Sequence, residues 1–95
     1  MRHQRFILEP DAACLDGHFP GRPLIPGVVL LDAAITAFGL QGPLRIVQAK
    51  FLRPCGPGVA LDMYLDEGAD GRCDLRLERA GEPVLRARLQ RGTAP

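Results

Sequence analysis

Ninety-five residues, 46% apolar and 24% charged, make one globular domain and exclude a disordered or low-complexity chain. Twelve basic residues against eleven acidic ones leave a net charge of +1, with no basic excess to suit nucleic acid or an anionic membrane. Three cysteines, Cys14, Cys55 and Cys73, are widely spaced, form no C-x-x-C, and do not complete a metal-ligand set with His3 and His18. They read as reduced thiols in a cytoplasmic protein, with Cys73 on an apolar strand face.

In chain order, residues 2–9 read as a first strand. Met1 to Pro10 is charged and has no apolar core, so it is not a signal peptide. A glycine- and proline-studded loop then carries His18 into an apolar run. Between Pro23 and Leu44 the only charged side chain is Asp32. An apolar segment without a polar stripe predicts a helix buried on all sides, from about Pro26 to Phe38. Pro26 suits the first helical position, and Gly39 with Gly42-Pro43 ends the helix. The run from Leu24 to Leu40 is short for a membrane span and is interrupted by Pro26, Gly27 and Asp32, so it reads as a core helix.

A carboxylate inside such a helix is expensive unless it has a partner or a task. One reading is a hydrogen-bonded structural Asp beside an ordinary loop histidine. The other is chemistry. The loop favours the second, because it prescribes a backbone path into a helix start, and helix starts offer free N–H groups to a negatively charged oxygen. A base, an acid and an oxyanion donor would then come from one short segment.

Beyond the helix the period changes to two. Arg45 to Arg53 begins a strand with Val47, Ala49 and Phe51 on one side and Ile46, Gln48, Lys50 and Leu52 on the other. Three further strands alternate more cleanly, over 59–66, 72–78 and 84–90. Val59, Leu61, Met63 and Leu65, then Cys73, Leu75 and Leu77, then Leu85, Ala87 and Leu89 mark the dry face. Short Gly-, Pro- and Asp-containing turns join them, predicting an antiparallel meander. One buried helix on the dry face of a curled sheet is an α+β architecture occupying residues 1–95 as a single domain.

The ordered run Gly17-His18-Phe19-Pro20-Gly21-x-Pro23-x-x-Pro26-Gly27-Val28, followed by Leu31-Asp32-Ala33, resembles the active-site signature of the hot-dog-fold 3-hydroxyacyl-[acyl carrier protein] dehydratases. Phe51-Leu52-Arg53-Pro54 with Pro57-Gly58 is similar to a second stretch of that family, and the resemblance runs from about Ile7 to Leu89. It implies an antiparallel sheet wrapped around one central helix. It also implies reversible dehydration of a (3R)-hydroxyacyl thioester, on acyl carrier protein or CoA, to the trans-2-enoyl thioester. His18 would be the base, Asp32 the acid, and the N–H groups at Gly27 and Val28 the thioester-oxygen site. No metal or organic cofactor is required. Arg22, and after it Arg53, would be the candidates for docking an acidic carrier protein; most other arginines read as solvated strand faces.

The resemblance further implies a homodimer, or an oligomer of dimers, in which His18 of one chain faces Asp32 of the other. Departures are visible too. Many relatives carry Glu at the position of Asp32, Gln at that of Thr36 and Asp at that of Val59, and residues before the first strand. These point to a specialised member, such as the small dehydratases of polyene or polyketide pathways. Two other classes fit the same pattern less well: a hot-dog thioesterase, and a non-catalytic acyl-binding subunit that retained the motif.

Overall fold

The computed structural model describes residues 1–7, 25–56 and 58–92. Five strands and one helix follow the sequence pattern: β1 (Arg2–Ile7), α1 (Gly27–Ala37), β2 (Leu44–Phe51), β3 (Ala60–Glu67), β4 (Arg72–Arg79) and β5 (Glu82–Arg91). The strands form one antiparallel sheet in the order β1-β3-β4-β5-β2. The three C-terminal strands are thus the anticipated meander, and β1 and β2 are its edges. Residues 8 and 9, which the sequence pattern assigned to the first strand, lie outside the described residues.

Period-two alternation drives the packing. Leu61, Met63 and Leu65 of β3, Cys73 and Leu77 of β4, and Leu85 and Leu89 of β5 are all at most 1% exposed. Their charged neighbours point to the other face. Between β4 and β5 the two-residue turn Ala80-Gly81 has positive φ at both positions, 49° and 82°. That is the type I′ geometry whose twist matches the flanking strands.

Two irregularities escape the alternation. Leu77 pairs with Leu85 but Glu78 pairs with Pro83, so Val84 is an extra residue in β5. This bulge buries both Val84 and Leu85, and it frees the Val84 carbonyl to accept the N–H groups of Leu52 (2.8 Å) and Arg53 (3.4 Å). Those two residues leave the ladder there, and β2 ends at Phe51 rather than continuing to Arg53. A second shift lies at Val47: Ile46 pairs with Leu89 and Gln48 with Arg88. Ile46 therefore shares the helix-facing side with Ala49 and Phe51, opposite to its predicted side.

Helix α1 lies on the dry face through Leu30, Leu31, Ala34 and Phe38. Pro26 is its N-cap, not its first turn: ψ is 140°, and the Pro26 carbonyl accepts from Val29 at 2.9 Å and Leu30 at 3.3 Å. At the other end Gly39 adopts φ 66°, its N–H donating to Thr36 O while Leu40 N–H donates to Ile35 O. This pair of bonds is a Schellman closure, the stop that a glycine at this position permits. Side chains from β1 finish the capping: Arg2 Nη2 donates to Phe38 O (2.9 Å) and Gln4 Nε2 to Ala37 O (2.7 Å).

The helix is not buried on all sides. Val28 is 67% exposed, and Asp32 and Thr36 are exposed as well. The sheet offers one concave face, which the 30/31/34/38 stripe fills; no described residue covers the opposite stripe. Cys55 and Cys73 are free and buried, and burial pushes the Cys55 thiol up, partly offset by Arg79; Cys14 lies outside the described residues. No described helix is long and apolar enough to cross a membrane.

Leu77 has no exposed surface and sits where helix and meander meet. Leu77→Ala should lower unfolding stability by about 2–5 kcal/mol. Urea denaturation at unchanged m-value measures it; a loss below about 1 kcal/mol would show that this layer is not the core.

Candidate active site

The site begins at the start of α1. Pro26 has no side chain with which to cap the helix, and no acidic residue occupies the first turn. An α-helix leaves its first N–H groups without intrahelical acceptors. Those of Gly27 and Val28 stand at the positive end of the helix dipole and suit an anionic oxygen. Their position is fixed from behind, because Ile25 N–H donates to the Cys55 carbonyl at 2.7 Å. That bond ties the entry of the helix to the segment following β2.

Gly27 is constrained by a contact that sequence reasoning missed. A Cβ built there would overlap the Phe51 ring, standing 2.5 Å from Cε1 and 2.8 Å from Cγ. The glycine therefore makes room for an aromatic side chain of β2, as well as leaving the backbone open. The only earlier signal was Phe51's place in the Phe51-Leu52-Arg53-Pro54 stretch.

One turn further along, Asp32 lies on the uncovered stripe of α1. Val28, Asp32 and Thr36 follow one another at i, i+4 spacing and so share a face. With Phe6 from β1, and Val29, Ala33 and Ala37, they line an open trough of about 570 Å³. Asp32 has no hydrogen-bond or ion-pair partner among the described residues, and Thr36 shares its wall. A carboxyl among apolar side chains, one turn from a helix start, can meet a hydroxyl while that helix start meets a carbonyl oxygen. The expectation of a carboxylate enclosed within its own chain is overturned: the helix turns Asp32 outward.

Of the other candidates, His18 and Arg22 lie outside the described residues. Arg53 follows β2, does not line the trough, and forms an ion pair with Glu82 at 3.5 Å. Phe6 supplies a wall of the trough that the sequence had suggested only as an apolar position in a strand. No cluster of metal-ligating side chains occurs among the described residues.

Comparison with known proteins gives this geometry a context. The profile of the ApeI-like family, described as ApeI dehydratase, matches residues 2–86. The 3-hydroxyacyl-[acyl-carrier-protein] dehydratase FabZ of Novosphingobium aromaticivorans is 39% identical over 53% of this chain and 40% of its own length. FabZ of Mannheimia succiniciproducens is 36% identical over 56% and 44%. The chain thus spans less than half the length of these curated relatives. Among solved structures, the dehydratase heterocomplex ApeI:P from Xenorhabdus doucetiae aligns with a TM-score of 0.81 at 21% identity, covering 93% of this chain and 83% of that one. A mutant of the fluoroacetyl-CoA-specific thioesterase FlK aligns at 0.61 with 9% identity, over 95% and 87%. At such identities the likeness shows the fold, which is the hot-dog fold.

The Gly27–Phe51 contact can be isolated by a double-mutant cycle. Gly27→Ala should destabilise by about 1–3 kcal/mol through overpacking. In a Phe51→Ala background the same change should be neutral or favourable, since alanine suits a helix better than glycine by about 1 kcal/mol. Thermal unfolding of the four proteins reads the coupling, and a coupling near zero would mean the ring does not rest on Gly27.

Proposed function

The chain belongs to the ApeI-like dehydratase family, and on that premise we propose that it dehydrates a (3R)-3-hydroxyacyl thioester, carried on an acyl carrier protein, to the trans-2-enoyl thioester. The observation that best supports this reading is Asp32 on an apolar trough, one helical turn from an uncapped helix N-terminus. A turn rises roughly 5.4 Å. That separation suits a thioester carbonyl at Gly27 and Val28 with the 3-hydroxyl near Asp32.

His18 takes the proton from the α-carbon. The electron pair moves toward the thioester carbonyl, whose oxygen gains negative charge and is held by the N–H groups at Gly27 and Val28. Asp32, protonated, delivers its proton to the departing hydroxyl, which leaves as water while the Cα–Cβ double bond forms. His18 ends protonated and Asp32 ionised; exchange with solvent restores both. The reaction consumes no redox equivalent.

The trough that holds Asp32 is open, whereas the proposed chemistry calls for a site closed to water. A second copy of the chain would supply the cover. Ile46, Val47, Phe51 and Leu52 on and after edge strand β2 are each about half exposed, and Val28 on the trough is more exposed still. A small domain gains by burying such surface in a symmetric interface. In this assembly His18 of one chain serves Asp32 of its partner. The X. doucetiae relative was solved as a heterocomplex, so the mass of the purified chain alone separates self-pairing from a need for a different subunit.

The reaction is tested by incubating the protein with 3-hydroxyacyl thioesters and following the products by mass spectrometry. Loss of water supports dehydration; release of free acid would replace it with thioesterase chemistry on the same fold. His18→Ala and Asp32→Asn should each lower turnover by at least about a hundredfold in folded protein. Remixing the two inactive variants makes about half the dimers mixed, each with one intact site, so roughly a quarter of wild-type activity should return. Full exchange without recovered activity would exclude a shared site.

A further inference from the structure

The outer face of the sheet, opposite α1, carries a second concavity of about 570 Å³. Strand register puts one row of side chains across it. Tyr64 of β3 stands opposite Arg76 of β4, Arg76 opposite Arg86 of β5, and Arg86 opposite Lys50 of β2. Directly paired residues on one face have Cβ atoms about 5 Å apart, so three cations fall within roughly 10 Å. Like charges in this position repel.

Elsewhere on this face cations meet acids. Asp74 holds Arg88 at 2.8 Å and Arg72 at 3.2 Å, and Asp62 holds His3 at 2.9 Å. In the row, only Arg76 meets one. Arg76 Nε stands 2.6 Å from Glu78 Oε2 without hydrogen-bond geometry, and its guanidinium lies 4.6 Å from the centre of the Tyr64 ring. Arg86 and Lys50 have no ion-pair partner among the described residues. Asp66 and Asp74 also line the concavity, but on the neighbouring row, where they pair in register with each other and Asp74 is held by Arg72 and Arg88.

We propose that this row binds a small phosphate-class dianion or oligoanion, such as a diphosphate, with Arg86 and Lys50 as its main contacts and Arg76 beside Tyr64 at its end. A single monoanion would leave one of two adjacent cations uncompensated; two linked anionic groups match both. The guanidinium fork meets phosphate oxygens in pairs, and the ammonium adds a compact charge. The concave shape and the small number of cations fit a compact ligand better than the broad surface of an acidic protein. This site is independent of the dehydratase reading, since it lies on the other side of the sheet.

The test is titration of the intact protein with inorganic pyrophosphate and, separately, ADP, at physiological salt, by calorimetry and by amide chemical-shift mapping. Saturable binding with Kd below about 1 mM is expected, with shifts centred on Lys50, Arg76 and Arg86. Equal affinity for both probes identifies the phosphates alone as the ligand group; tighter ADP binding adds the nucleoside. Arg86→Gln and Lys50→Gln should each weaken binding at least about tenfold, whereas Arg5→Gln, on the far edge strand, should not. Without ligand, Arg86→Gln should melt no lower than wild type, because it relieves repulsion. The proposal is overturned by non-saturable shifts that sodium sulfate at equal ionic strength reproduces. Equal loss in Arg5→Gln, or binding of an acidic peptide but of neither phosphate probe, also overturns it. Shift mapping on the wild-type protein decides the matter even if a variant folds poorly.

Discussion

Everything in this fold depends on one stripe of an eleven-residue helix filling the concave side of a curled sheet. A helix that short is marginal alone in water. It persists because Leu30, Leu31, Ala34 and Phe38 share a core with the meander, while both its ends are tied to other parts of the chain. The Cys55 carbonyl anchors its entry, and Arg2 and Gln4 anchor its exit. Packing on one side has a direct functional counterpart. Whatever does not face the sheet is free to form a binding surface, and that surface contains Asp32.

Strands β3 and β4 were legible from sequence because nothing interrupts their alternation: Leu61, Met63 and Leu65, and then Cys73, Leu75 and Leu77, all point inward. The helix stop was legible in Gly39, whose positive φ closes the last turn. The bulges were not. A single extra residue shifts parity without any change of composition, so the burial of Val84 beside Leu85 was not anticipated and Ile46 was assigned to the wrong side. The exposure of Asp32 was hidden for a different reason. Hydrophobicity reports what a face prefers to touch, and cannot say whether its own chain or another molecule provides the contact. Gly27 was assigned with Val28 to the thioester-oxygen site, but its contact with Phe51 joins residues far apart in sequence and leaves no local signal.

The structural comparisons show why the site must be read at the level of side chains. Dehydratases and a thioesterase share this sheet and helix, so architecture alone cannot choose between expelling water and adding it across a thioester. What this chain offers is the inventory around α1. An acid on the helix, with a free helix start one turn earlier, suits proton delivery to a hydroxyl.

The bulge at Val84 has an evolutionary consequence. Surface hairpins usually tolerate insertion and deletion well. Here one carbonyl, presented only because β5 carries a supernumerary residue, receives two N–H groups from the segment after β2. That segment leads within a few residues to Cys55, which holds the start of α1. Losing a single codon between positions 77 and 85 would restore a regular ladder and remove that acceptor. The β4–β5 hairpin is therefore expected to keep its length across descendants of this chain more strictly than its surface position suggests.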